Sequence, residues 1–189
     1  MSKKIITISI VITISILFAS CGGGSDTSEQ ITESSEQAPP PTPPDQLQCE
    51  LKPNANCINA DLSGKNLSGL ILPGIDFSGA NLEGALLNNT VLVGADLSNS
   101  NLAGAQLANT NLSSANLMDI TAPGALFNRA DLSDALLLRA DLNTTVFLET
   151  DLRSANLTGA LLAGLVDKGA LWCNTIYSDG KLKNDNCQE

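Results

Sequence analysis

The sequence predicts an all-β solenoid, in which the chain turns a corner every five residues and stacks its turns. Three observations carry that prediction. Stepping by five from Leu62 to Leu162 visits 21 positions, of which 20 are Leu or Phe and only Ala122 departs. Continuing the step lands on Asp167, Trp172 and Tyr177, so every aromatic beyond Phe18 lies in this one register. The position two before each centre is mostly Ala, Thr or Ser, and the remaining positions carry Asn, Asp, Ser and Gly. A helix period of about 3.6 or a strand period of about 2 produces no strict step of five.

Packing explains the pattern. One large and one small inward residue per pentad, with three outward ones, suit a chain that bends at every fifth position. Successive turns then stack with ladder hydrogen bonds at about 4.8 Å, each burying the face its neighbour exposes. Glycines such as Gly64, Gly84 and Gly104 tolerate the tight corners.

The pentads "ADLSG" (60–64) and "ANLEG" (80–84) resemble the pentapeptide-repeat family. The resemblance runs without insertion from Ala60 to about Gly164, and more weakly to Tyr177. It implies a right-handed quadrilateral β-helix with four pentads per coil and about six coils, placed over residues 60–172. Two pentads depart from the pattern. In "ITAPG" (120–124) the small and large positions are exchanged between Ile120 and Ala122, which limits the void a lone Leu→Ala change would leave. In "LVDKG" (165–169) the centre is Asp167. An unpaired inward carboxylate is too costly to bury, so the regular helix is expected to distort there.

The first 20 residues read as a lipoprotein signal peptide. Lys3 and Lys4 precede an apolar run from Ile5 to Phe18, shorter than the roughly 20 residues a bilayer span requires. The sequence Phe18-Ala19-Ser20-Cys21 resembles a bacterial lipobox, in which Cys21 is lipidated and becomes the mature N-terminus. Acyl chains add about 0.8 kcal/mol per buried CH₂, enough to hold the protein on a membrane. By the same resemblance, Gly22 after the cysteine favours the outer membrane where the cell has one. Residues 21–48 form an acidic tether rich in Pro, Ser and Glu, including "APPPTPPD" (38–45), with nothing to bury. Cleavage before Cys21 leaves eight basic and 20 acidic residues, a net charge of −12. That disfavours nucleic acid as a partner.

Four further cysteines, Cys49, Cys57, Cys173 and Cys187, are expected to form disulfides in an exported chain. Six stacked coils would separate the two ends by about 25–30 Å, whereas bridged Cα atoms lie within about 7 Å. The pairing expected from that fold is therefore local, Cys49–Cys57 in an N-terminal cap (49–59) and Cys173–Cys187 in a C-terminal cap (173–189). Such caps protect open β edges.

No catalytic site is expected. There is no histidine, no nucleophile–base pair and no phosphate-cradling glycine motif. The many Asp and Asn residues occupy one outward repeat position, and no spacing suggests a metal or a cofactor. One surface feature stands apart. With 20 residues per coil, the outward position before the centre reads Asn66, Leu86, Gln106, Leu126, Val146, Val166 along one face, with Leu148 beside it. Leu86, Leu126, Val146, Leu148 and Val166 are the candidate interaction stripe, for a protein partner or for self-association. The next face begins Ile71, Val91 and Val93.

The leading expectation is a non-enzymatic, membrane-anchored envelope lipoprotein that presents a rigid β-helix for structure or protein contact, with no small-molecule substrate. The rival comes from the family resemblance: some relatives mimic DNA with an acidic surface and act on type II topoisomerases such as gyrase. The export signal argues against that rival. An ice- or glycan-binding surface has less support, because Thr90, Thr110, Thr145 and Thr150 and the aromatics are all inward by register.

Overall fold

A computed structural model describes residues 49–187. The expected signal peptide, Cys21 and the expected tether lie outside the described residues. The described chain is a right-handed β-helix with four sides per coil. A parallel bridge links each outward residue to the one 20 positions on, from Asn56↔Asp76 to Asn156↔Ile176.

Each pentad repeats one set of hydrogen bonds. Cys57 N–H donates to the Asp76 carbonyl at 2.8 Å, Asn59 N–H to Ser78 at 2.9 Å, and Asp76 N–H returns to Ala55 at 2.9 Å. Within the coil, Ala60 N–H closes a turn onto the Cys57 carbonyl at 3.1 Å. The third residue of every such turn takes positive φ, as a type II turn requires. This holds at every fifth position from Asn54 to Asn174, whether or not the residue is glycine. The rule imposed by the fold is therefore the corner conformation, and glycine is only its easiest occupant.

The centres and small positions fill the interior. Leu82, Leu107, Leu132 and their equivalents are fully buried, as are alanines such as Ala95 and Ala135. Ile120 and Ala122 are both buried, so the large and small inward positions do exchange there. Phe127 and Phe147, one coil apart, meet edge to face with centroids 5.4 Å apart. The inward threonines are satisfied internally. The hydroxyls of Thr90, Thr110, Thr145, Thr150 and Thr175 each donate to a carbonyl 23 residues back, at 2.6–3.0 Å. The buried Ser100 hydroxyl has no partner among the described residues.

Asp167 corrects one expectation. The helix is regular through its pentad: Val146↔Val166 pair, Ala170 N–H bonds the Asp167 carbonyl at 3.0 Å, and Gly169 makes the corner at φ 76°. The carboxylate occupies a centre position without distortion because it lies on the last coil. There it stays 41% exposed and meets Lys183 Nζ at 3.4 Å. Lys65, exposed at a small-residue position of the first coil, is its counterpart at the other end. Charged residues enter the inward register only where no coil covers them.

Both disulfides are present and local, with Cα–Cα distances of 4.9 Å for Cys49–Cys57 and 5.1 Å for Cys173–Cys187. The C-terminal cap is a hairpin of β1 (Thr175–Ile176) and β2 (Leu182–Lys183).

Candidate functional site

The outward Asp and Asn residues are structural. At all 13 bridge positions where Asp or Asn stands, the side-chain oxygen accepts the N–H two residues on, as Asp76 does from Ser78 at 2.9 Å and Asp96 from Ser98 at 2.8 Å. That amide has no place in the coil-to-coil ladder, so the side chain supplies its acceptor as an Asx turn. At four of the other bridge positions, other devices appear. After Ile71 and Thr121 the amide is removed altogether by Pro73 and Pro123. After Gln106 and Leu161 the acceptor comes from the coil below, Asn88 to Ala108 at 2.9 Å and Asn143 to Ala163 at 2.8 Å.

The carboxylates respond to these bonds and to ion pairs. Hydrogen bonds from the Ser63 hydroxyl and amide hold the Asp61 carboxyl below the usual range. Arg139 does the same for Asp119. At Asp151 burial pushes the carboxyl up, but the side chain and amide of Arg153 outweigh it and the net shift is downward. Among the described residues no cluster of Cys, Asp or Glu is arranged to hold a metal ion. A shallow polar groove of about 320 Å³ lies at one corner, lined by Ser133, Asp134, Arg153, Ser154, Cys173 and Asn174.

The predicted stripe exists as a ladder: Leu86, Gln106, Leu126, Val146 and Val166 are successive bridge partners. Exposed Gln106 divides it. Leu86, Leu126, Val146 and Leu148 are half-buried, and Val166 is the exposed member at 48%. Within this stripe the exposed apolar surface therefore lies at the C-terminal end, where neighbouring Leu161 is 56% exposed and Leu162 and Leu165 are half-buried. At the N-terminal end a second patch, Ile71 with Val91 and Val93, occupies the adjoining face.

The C-terminal end is only half covered. Every centre amide from Cys57 to Leu157, and every corner amide from Asn54 to Gly159, donates to the carbonyl 19 residues on. On two sides of the last coil the cap takes over. Trp172 N–H donates to the Asp185 carbonyl at 3.0 Å, Asn174 N–H to Asn184 Oδ1 at 2.8 Å, and Asn186 Nδ2 to the Ala170 carbonyl at 3.0 Å. Lys183 Nζ packs 4.0 Å above the Trp172 ring and 4.7 Å above Tyr177. On the other two sides, the amides of Leu162, Gly164, Asp167 and Gly169 donate to nothing among the described residues. The carbonyls of Ala160 and Leu165 accept nothing there either.

The register placed Val166 on the outside but missed this edge. Counting coils to the end of the repeat would have shown that Leu161, Leu162 and Leu165 have no coil above them. Lys183 lies outside the register, and no sequence signal pointed to its place over Trp172.

A four-sided β-helix with disulfide-bonded caps is a solenoid built from one repeated supersecondary unit. The family model for pentapeptide repeats matches residues 54–89, 75–113 and 125–164 in eight copies. The chain belongs to the pentapeptide-repeat family. Its fold is similar to that of QnrB1, a plasmid-mediated fluoroquinolone resistance protein, with a TM-score of 0.56 at 21% identity over 69% of this chain and 65% of that one. It is also similar to HetL, a protein involved in heterocyst differentiation regulation from the cyanobacterium Nostoc, at 28% identity over 68% of this chain and 78% of that one, with a TM-score of 0.32. Rfr23 from the cyanobacterium Cyanothece matches at 27% identity over 59% of this chain and 90% of that one, with a TM-score of 0.35. No curated protein matches the chain.

Proposed function

We propose that the protein is a non-enzymatic envelope lipoprotein, anchored to a membrane through Cys21, that presents its β-helix as a protein-interaction module. The observation that carries the interaction reading is the exposed apolar pair Val166 and Leu161 at the C-terminal end, beside ladder amides that have no partner among the described residues. The polar side chains that might suggest chemistry are already committed: the Asx oxygens cap amides and the inward hydroxyls bond carbonyls. The two disulfides suit an oxidising compartment and so support export.

A second reading, a DNA mimic acting on a type II topoisomerase, is favoured by the acidic composition and is opposed by the export signal. Fractionation with thiol alkylation separates the two. The lipoprotein reading expects membrane-associated protein whose four cysteines resist alkylation until reduced. Soluble cytosolic protein with four reactive thiols would overturn it and make gyrase inhibition the next assay.

A further inference from the structure

We infer that the uncovered half of the C-terminal coil, residues 160–169, is a docking edge for one extended peptide segment of a partner protein, which adds to the helix as two further pentads. The inference rests on the interaction reading above and names the site for it. What the edge lacks is specific. Four donors (Leu162, Gly164, Asp167, Gly169) and two acceptors (Ala160, Leu165) continue the ladder geometry of the coil beneath, and none has a partner among the described residues. In that coil the equivalent amides are taken: Leu142 bonds Leu161 at 2.9 Å, Thr144 bonds Ala163 at 2.8 Å, Phe147 bonds Val166 at 2.6 Å and Glu149 bonds Lys168 at 3.0 Å. Only another extended backbone, offering two carbonyls and one amide per pentad, satisfies such an array.

The apolar surroundings point the same way. An added segment would place bridging residues above Leu161 and Val166; its first centre would cover half-buried Leu162 and Leu165, and its second would meet Asp167, whose carboxylate keeps Lys183 Nζ at 3.4 Å as its counter-charge and so asks for a polar residue there. The cap selects a single strand over a second copy of this chain. Residues 181–187 rise above the last coil on the other two sides and make the bonds there, so the flat coil end of another solenoid is held off. A ten-residue segment that turns one corner is not.

The test uses the full-length chain, ¹⁵N-labelled, and a synthetic peptide copying residues 80–89, whose two pentads occupy these same two sides lower in the helix, with Leu87→Asn (ANLEGALNNN) so that a polar side chain meets Asp167. In the free protein the amides of Leu162, Gly164, Asp167 and Gly169 should exchange at least ~100-fold faster than those of Leu142, Thr144, Phe147 and Glu149. The peptide should slow those four and shift their resonances saturably, and a Pro-substituted version should not. Leu161→Lys with Val166→Lys, both on exposed outward positions, should weaken binding at least ~10-fold with the melting temperature unchanged. Protection of the four amides in the free chain would overturn the inference, with sedimentation showing whether a second copy or the chain's own residues cover the edge. Peptide binding elsewhere, or none, would also overturn it. That failure is distinct from failure of the interaction reading. The latter is read separately, by whether Leu126→Ser, Val146→Ser and Val166→Ser together abolish crosslinks of the intact protein in cells.

Discussion

The early and later coils share one interior and differ at their corners. From Asn54 to Asn109 every corner residue is Gly or Asn, the two types that enter the left-handed region most easily. From Ser114 to Ser154 the corners hold Ser, Asp, Gly, Arg, Asp, Arg, Thr, Glu and Ser, at the same positive φ. Both regions bury mainly Leu at the centres and Ala at the small positions, with the Phe127–Phe147 pair added in the later one. What the later corners gain is contact between coils. Arg139 pairs with Asp119 one coil below, and Arg129 Nε donates to Glu149 one coil above at 2.7 Å. Exposed ion pairs are worth about 0–1 kcal/mol, whereas a left-handed non-glycine residue costs roughly 1–2 kcal/mol. The pairs do not offset the corners. The later coils carry their charged corners at a cost in stability, which the stacked core has to cover.

Large-to-small changes in the core should show the largest effects, equal in the two regions. Leu82→Ala and Leu142→Ala should each destabilise by about 2–5 kcal/mol in denaturant unfolding. A large disagreement between them would place the regional difference in the core. Next come the corners. Gly84 and Thr144 lie on the same edge of the helix, and nothing lies within 4 Å of the position a Cβ would take at Gly84. Gly84→Thr should therefore cost about 1–2 kcal/mol through φ alone, and Thr144→Gly should recover a similar amount. Equal stabilities in all three proteins would show that the corners are not strained.

A smaller effect is expected inside the early coils. Ser100→Ala removes a buried hydroxyl without a partner and should stabilise by about 1 kcal/mol. Thermal unfolding that shows a loss instead would mean the hydroxyl is bonded. The smallest effect belongs to the ion pairs. Arg139 holds Asp119 below its ordinary pKa in the folded state. The stabilisation is therefore present above the unfolded value of about 3.9 and is lost as pH falls through the folded one. Asp119→Asn should flatten that part of the melting-temperature profile below about pH 4. A profile identical to wild type would remove the pair from the account.

Why some of this was legible and some was not follows from where each feature lies. Leu and Phe every five residues fixed the inward register, and Ile120 with Ala122 kept it despite their exchange. The resemblance supplied handedness and four sides, which no spacing contains. Glycines such as Gly64 and Gly84 marked where the corners fall; that Arg129, Thr144 and Glu149 take the same positive φ was not legible, because stacking imposes that conformation on residues that do not favour it. Asp167 misled because its cost was reckoned for a covered coil. The open edge beside Leu161 was hidden for the same reason. Register tells which way a side chain points, and coverage depends on where the stack stops.

The proposed anchoring of the helix outside the cytosol rests on Cys21. Metabolic labelling with palmitate of cells expressing the wild type and Cys21→Ala tests it most directly. Anchoring through Cys21 should give label on the wild type, none on the variant, and membrane association lost with the label. An unlabelled wild type, or label that survives in Cys21→Ala, would contradict it.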